Sequence, residues 1–210
     1  MAYVIGFFAA DGYMTANKRG AHFWSIQITD RNLLEKIKTI IRSEHRLGVR
    51  KSQKDHATIY RLQIGSKEMC GDLTKLGFAP RKTKNLVVPN VPKKYFPHFV
   101  RGYFDGDGNV WVGDLNKQRK KPVRAIQTSF TSCSGSFLRD LLDRLHDMGI
   151  SGGSVSESKQ NYSRLHLSIR DSLKLYEFMY NQPYLEETDL FLKRKKQVFE
   201  RYKKQTNRKK

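Results

Sequence analysis

One nine-residue pattern occurs twice in this chain. Residues 4–12 read VIGFFAADG and residues 100–108 read VRGYFDGDG. Each copy has a glycine, Gly6 or Gly102, then two aromatic residues, then a small residue, an aspartate and a glycine. Asp11 and Asp107 therefore hold equivalent places, and the segments downstream of them match as well. After the first copy come an alternating stretch ending in residues 22–29 and a segment over 33–41 with apolar residues at helical spacing. Strand-like runs around 50–53 and 59–64 come next, then a helical segment over 68–76 ahead of Gly77. After the second copy come a polar strand pair within 109–132, a helix over 137–148 stopped by Gly149, strands around 153–158 and 164–169, and a helix over 172–180. A repeat of this kind predicts two similar units, each running helix, two strands, helix, two strands, helix.

The repeat also sets the boundaries. Residues 1–78 form the first repeat and 99–182 the second. Pro80, Pro89, Pro92 and Pro97 make 79–98 an extended linker, because proline disfavours a helix at and just before itself. A basic segment over 183–210 closes the chain, with a helix over 189–204 and a disordered end from residue 206. The fold class is α+β.

Read as helices, the two copies make a physical demand. Gly6 and Ala10 share one face, as do Gly102 and Gly106, since residues four apart lie one above the other. Small residues at that spacing let two backbones approach, and the obvious partner of one motif helix is the other, across a pseudo-two-fold axis. Asp11 and Asp107 each sit just before a glycine placed to stop the helix. A carboxylate there faces the negative end of the macrodipole, at a cost of a few tenths to about 1 kcal/mol. Two such carboxylates side by side would also repel. A divalent cation resolves both penalties, because hard cations take carboxylate and phosphate oxygens together.

Charge points to the source of that phosphate. There are 40 Lys and Arg against 20 Asp and Glu, a formal net charge of +20. Self-repulsion of this size disfavours the compact state unless an anion relieves it, and nucleic acid is the first candidate. A membrane surface is the weaker one: the longest apolar run, 4–10, is far below the roughly 20 residues a spanning helix needs, and no signal peptide is visible. Cys70 and Cys133 lack metal-ligand spacing and are read as buried thiols in a reducing compartment, a bacterial or phage cytoplasm or an organelle matrix. No Ser or Cys triad, zinc spacing or P-loop appears.

The paired motifs VIGFFAADG and VRGYFDGDG, with their matched downstream elements, resemble the LAGLIDADG homing endonuclease family in its single-chain, two-repeat form. The linker residues Asn85-Leu86-Val87-Val88-Pro89, Pro92 and Tyr95 are similar to the family too. The first copy departs from the family pattern with Ala9 where an acidic residue is common; the second keeps Asp105. The resemblance implies two αββαββα repeats packed through the motif helices, each with an antiparallel saddle sheet for DNA. It implies a monomer that makes a double-strand break in a long, pseudo-palindromic target and leaves 3′ overhangs. Asp11 and Asp107, with the carbonyls of Ala10 and Gly106, would hold Mg²⁺; Mn²⁺ would substitute, and Ca²⁺ would bind without supporting cleavage. Lys67 and Arg170 fall near the family's lysine position at the end of each last strand, and Asp30 and Ser132 near its polar solvent network.

Outward strand residues would read bases in successive major grooves. In the first repeat these are Asn17, Arg19, His22, Trp24, Gln27, Arg50, Gln53 and Arg61. In the second they are Trp111, Asn116, Gln118, Arg119, Arg124, Gln127, Ser156, Lys159, Asn161 and Arg164. Trp24 and Trp111 fit a core equally well. Lys84, Lys93 and Lys193–Lys196 would hold phosphates. An RNA maturase or a DNA-binding regulator on the same scaffold, without cleavage, shares the fold and the charge and stays open. An intein is disfavoured, because no flanking splicing segments with the needed Cys, His and Asn are visible.

Overall fold

The structure, a computed structural model, describes residues 1–207 except 52–56, 81–84, 117, 119, 121 and 184. The chain divides into two compact units, residues 1–106 and 107–210. Among the described residues no helix is long and apolar enough to cross a membrane.

In the first unit, helix α1 (Ala2–Asp11) runs directly into strand β1 (Gly12–Ala16). Strand β2 (His22–Ile28), helix α2 (Arg31–Ile40), strands β3 (Gly48–Arg50) and β4 (Ile59–Gly65) and helix α3 (Lys67–Lys75) come after it. The sheet is antiparallel in the order β1-β2-β4-β3. Its core face carries Met14, Trp24, Ile26, Leu62 and Ile64, which with Phe7, Phe8, Leu33, Leu34 and Ile37 are nearly free of solvent. Helix α1 has no charged residue before Asp11. A helix apolar all round is a buried one, and Tyr3, Val4, Phe7, Phe8 and Ala9 are buried accordingly. Asp30 caps α2 by accepting from the Leu33 N–H at 2.9 Å, and Ser66 caps α3 by accepting from the Met69 N–H at 3.1 Å.

Helix α4 (Phe96–Asp107) ends the first unit and hands its last residue to the second. It starts inside the span expected to be linker. Pro97 causes no break, because in a first turn its missing N–H would have had no partner. Ahead of it, Leu86 and Val88 are buried and Lys93–Tyr95 form a single 3₁₀ turn.

The second unit repeats the pattern with strands β5 (Gly108–Leu115) and β6 (Val123–Ser132), helix α5 (Gly135–Asp147), strands β7 (Ser154–Glu157) and β8 (Ser163–Leu167) and helix α6 (Ile169–Tyr180). Its antiparallel order, β5-β6-β8-β7, is the first sheet's order again. Ile126, Phe130, Leu165 and Leu167 face a core completed by Phe137, Leu138, Leu141, Leu145, Leu175 and Met179. A short helix α7 (Leu185–Thr188) and a long basic helix α8 (Lys193–Asn207) have no counterpart after α3 among the described residues. Helix α8 reaches Asn207, beyond the expected end. Cys70 is buried as expected, and its thiol is pushed up by that burial. Cys133 is exposed, so the expectation of two buried thiols is corrected.

Candidate metal and nucleic-acid site

The motif helices α1 and α4 cross at their glycines. A Cβ on Gly6 would stand 2.0 Å from the Phe99 carbonyl oxygen, and one on Gly102 would stand 2.1 Å from that of Tyr3. Farther along the same faces, a Cβ on Gly106 would lie 2.3 Å from Ala10 Cβ and 3.1 Å from Asp11 Oδ2. Backbone contact through small residues therefore brings the C-terminal turn of α4 against Asp11. Asp107 is the next residue along α4.

One polar contact stiffens this crossing. The Tyr3 hydroxyl donates to Asp105 Oδ2 at 2.7 Å, and both residues are 2 % exposed. The Arg101 guanidinium, also buried, lies over the Tyr3 ring and 3.0 Å from His98 Nδ1. Burial, the Arg101 charge and the Met1 α-amino group push His98 down to about 4. At the equivalent positions of the other motif stand Phe99 and Ala9, an apolar pair. The departure at Ala9 is thus matched by the loss of a hydroxyl on its partner.

The glycine after Asp11 has a different reason from the one expected. Gly12 is extended (φ −84°, ψ 153°), not left-handed. What excludes a side chain is Phe8, whose Cδ2 would lie 2.0 Å from a Gly12 Cβ. The turn from helix to strand is tight enough that Asp11 ends α1 and Gly12 opens β1, leaving the Asp11 side chain exposed. Asp107 is half-buried. Among the described residues no three His, Cys, Asp or Glu side chains gather to hold a metal. Asp11 and Asp107 are each hard oxygen donors, of the kind a divalent cation takes together with phosphate and water oxygens.

The sheet faces turned away from the two cores carry the other candidates. Side chains alternate along a strand, so Tyr13, Gln27, Arg61, Gln63 and Arg50 share the outer face of the first sheet through the pairs Tyr13–Ser25, Gln27–Arg61, Ser25–Gln63 and Arg50–Ile59. Gln27 Nε2 donates to the Tyr13 hydroxyl at 2.7 Å. Burial would raise that phenol, yet hydrogen bonding from neighbours including Gln27, together with the Arg61 charge, holds it below its ordinary value. Gln27, Arg50 and Arg61 line one open hollow. Tyr13 and Gln63 were not singled out from the sequence, although their alternation with Met14, Leu62 and Ile64 marks them as outward.

Trp24 belongs to the core: it is 2 % exposed and its indole N–H lies 3.2 Å from Met69 Sδ. His22 shares its parity and is half-buried. The Asn17 side chain closes its own turn by accepting from the N–H groups of Arg19 and Ala21, and Arg19 is exposed beside it. In the second sheet Trp111, Gln127 and Arg164 lie outward with Asn109, Ser129, Thr131 and Ser156. The Trp111 ring lies across Gly113 and remains 42 % exposed. Arg164 stacks on Tyr162 at 5.0 Å, and burial and the Arg164 charge together lower His166 beside it. Arg124 points with the opposite set, toward Asp114 at 3.4 Å. Asn116, Gln118, Lys159 and Asn161 are exposed in turns, while Gln53, Lys84 and Arg119 lie outside the described residues.

Lys67 and Arg170 are exposed in the first turns of α3 and α6. Asp30 is committed to capping α2, and Ser132 is buried and accepts from the Ser134 N–H at 3.1 Å, so neither is an open solvent-network group. Of the expected phosphate cations, Lys93 is exposed, Lys193 pairs with Asp189, Lys196 pairs with Glu186, and Lys195 is buried.

Comparison with known proteins places this fold. Residues 1–72 match the family described as LAGLIDADG-like domain. The chain as a whole has the fold of the two-repeat LAGLIDADG meganucleases. It resembles the meganuclease I-AabMI bound to uncleaved DNA, with a TM-score of 0.61 and 18% identity over 94% of this chain and 87% of that one. It also resembles I-LtrWI bound to target DNA, with a TM-score of 0.58 and 14% identity over 97% and 90% of the two chains. A third similar structure is I-SmaMI bound to an uncleaved target with calcium ions, with a TM-score of 0.54 and 14% identity over 91% and 85%. In sequence, 139 residues are 32% identical to the "Probable translation initiation factor IF-2" of Thermococcus kodakarensis, covering 62% of this chain and 11% of that protein.

Proposed function

We propose that this chain is a site-specific DNA endonuclease whose two repeats, 1–78 and 99–182 joined by 79–98, each serve one strand of a long, pseudo-palindromic target. The observation that carries the reading is the glycine-to-backbone crossing of α1 and α4, which sets Gly106 against Asp11 at the point where each motif helix ends in an aspartate. Two carboxylates held at helix C-termini by a repeated, close-packed motif are not explained by packing alone. The cationic outer faces and the net charge of +20 supply the counterpart for a phosphate backbone.

Asp11 and Asp107, with the carbonyls of Ala10 and Gly106, would hold Mg²⁺ against the scissile phosphates. When bound, such an ion stabilises developing charge and lowers the pKa of an attacking water. The chain's own part is to orient. Tyr3, Asp105 and the glycines fix the helix ends, and Gln27, Arg50, Arg61, Trp111, Gln127 and Arg164 present groups to base edges and sugars. Lys67 and Arg170, both exposed, would stabilise the charge that develops at each phosphate. Hydrolysis on both strands would leave 3′ overhangs. The match to the initiation factor spans about a ninth of that protein and lends no translation activity to the reading.

The test is a cleavage selection from a randomised duplex library in Mg²⁺, Mn²⁺ and Ca²⁺. A cut, enriched site with Mg²⁺ or Mn²⁺ supports the reading, with Ca²⁺ giving binding alone. Asp11→Asn and Asp107→Asn should abolish cutting while gel-shift affinity persists; normal cutting by either removes the metal assignment. Enrichment without cutting assigns the scaffold to a DNA-binding regulator, and preference for a structured RNA assigns it to a maturase.

A further inference from the structure

Helix α8 carries a charge where its pattern calls for an apolar residue. Leu192, Lys195, Phe199 and Tyr202 recur at three- and four-residue spacing and are 1, 7, 0 and 4 % exposed. Burying an ammonium is costly unless a specific partner receives it. Lys195 has such a partner: its Nζ donates to the Gly108 carbonyl at 2.5 Å. Gly108 is the residue after Asp107 and the first of β5.

Other contacts also hold the helix. Tyr202 donates to the Arg124 carbonyl at 3.2 Å, Phe199 packs on Tyr176 at 5.3 Å, Lys203 pairs with Glu177, and Lys196 lies on the Phe191 ring at 4.7 Å. Those contacts dock α8 on α6, on the start of β6 and on the segment before it, and the helix also packs along β5. What Lys195 adds is local: it fixes a peptide of the helix-to-strand turn that aims Asp107, and it sets a cation beside a helix end rich in carbonyl oxygen. In the first repeat the Phe8 ring lies against the equivalent glycine, Gly12.

We propose that Lys195 is a positioning residue for Asp107, clamping the Gly108 carbonyl so that the carboxylate is preset for a divalent cation and for the strand cut it serves. This inference rests on the nuclease reading. Its test uses the full chain with the duplex recovered by selection, comparing Lys195→Met, Lys195→Arg and the α8 surface control Gln197→Ala. Mn²⁺ binding to the protein–DNA complex is read by electron paramagnetic resonance, independently of cutting, and both strands are end-labelled.

Lys195→Met should weaken Mn²⁺ binding about 10-fold, the scale of supporting residues behind metal ligands. It should slow one strand's cut by a similar factor relative to the other, with metal-free DNA affinity unchanged. Lys195→Arg, which keeps a cation and donors at the carbonyl, should stay near the parent, and it remains informative if the methionine variant fails to fold. Equal slowing of both strands with unaltered Mn²⁺ binding, or loss in the arginine variant equal to that in the methionine one, reduces Lys195 to a structural brace and overturns the proposal. A parent protein that binds DNA but neither binds Mn²⁺ nor cuts overturns the nuclease reading and this inference together. A cutting parent with Lys195→Met matching Gln197→Ala overturns this inference alone.

Discussion

The same substitution should have opposite effects at two glycines of the first unit. Gly71 lies inside α3, is exposed, and would give an added Cβ open space. Replacing a helical glycine by alanine there gains about 0.5–1 kcal/mol by restricting the unfolded chain and improving propensity. Gly6 lies inside α1, so Gly6→Ala gains the same propensity, but its Cβ would be placed 2.0 Å from the Phe99 carbonyl oxygen. An ordinary contact begins near 3.4 Å, so α4 would have to retreat by more than an ångström, and the obstacle is backbone. Overpacking of this kind costs about 1–3 kcal/mol, and a rigid neighbour puts it at or above the upper end. After the propensity gain, the net loss is about 2 kcal/mol. For a chain of this size that lowers the thermal midpoint by roughly 4–8 °C, while Gly71→Ala raises it by roughly 1–4 °C. Differential scanning calorimetry of the two variants beside the parent measures both signs. A stabilised Gly6→Ala variant would refute the close crossing of α1 and α4, and with it the placement of Gly106 against Asp11.

Three further outcomes concern the same crossing and the outer face of the first sheet. Tyr3→Phe removes the donor to a buried carboxylate and should cost about 1.5–3 kcal/mol, read as a lower denaturation midpoint; an unchanged midpoint would show that Asp105 does not depend on that hydroxyl. His98 sits at about 4 in the fold against 6.5 unperturbed, so its neutral form is favoured and the stability it contributes is lost as pH falls through that interval. His98→Gln should therefore flatten the decline in thermal midpoint between about pH 6.5 and about pH 4, and an identical slope in the variant would sink the assignment. Arg61→Ala should relax base preference at one target position at a cost of about 1–3 kcal/mol, measured by binding to a panel of single-base variants; a uniform loss across the panel would make Arg61 a phosphate contact.

Much of this architecture is legible in the sequence because the motif repeats. VIGFFAADG and VRGYFDGDG in matched contexts determine the element order of both units, and the four-residue spacing of Gly6/Ala10 and Gly102/Gly106 identifies the face on which α1 and α4 meet. Facing within the sheets is less legible. Trp24 looks outward as a large residue in a polar strand, yet it shares parity with Ile26 and Ile28, and that alternation assigns it to the core. Lys195 is obscured by its neighbours. Within Lys193–Lys196 the cations look alike, and only the stripe Leu192, Phe199 and Tyr202 distinguishes the buried one. The conformation of Gly12 is not readable at all, because what excludes a side chain there is the Phe8 ring in space rather than the helix stop its position suggests.

The Tyr3–Asp105 contact has a consequence for how the motif helices recognise each other. A second α1 in the place of α4 would face each Tyr3 with Ala9, leaving both hydroxyls without the carboxylate. A second α4 in the place of α1 would face each Asp105 with Phe99, leaving a buried carboxylate without the hydroxyl that receives it here. Both like-with-like pairings lose a hydrogen bond to a charged group, and the second buries two carboxylates without their hydroxyl donors. The glycines permit any two such helices to approach, but this polar contact gives the seam a direction. It acts as a key cut on one helix and a lock on the other, which makes two similar sequences non-interchangeable.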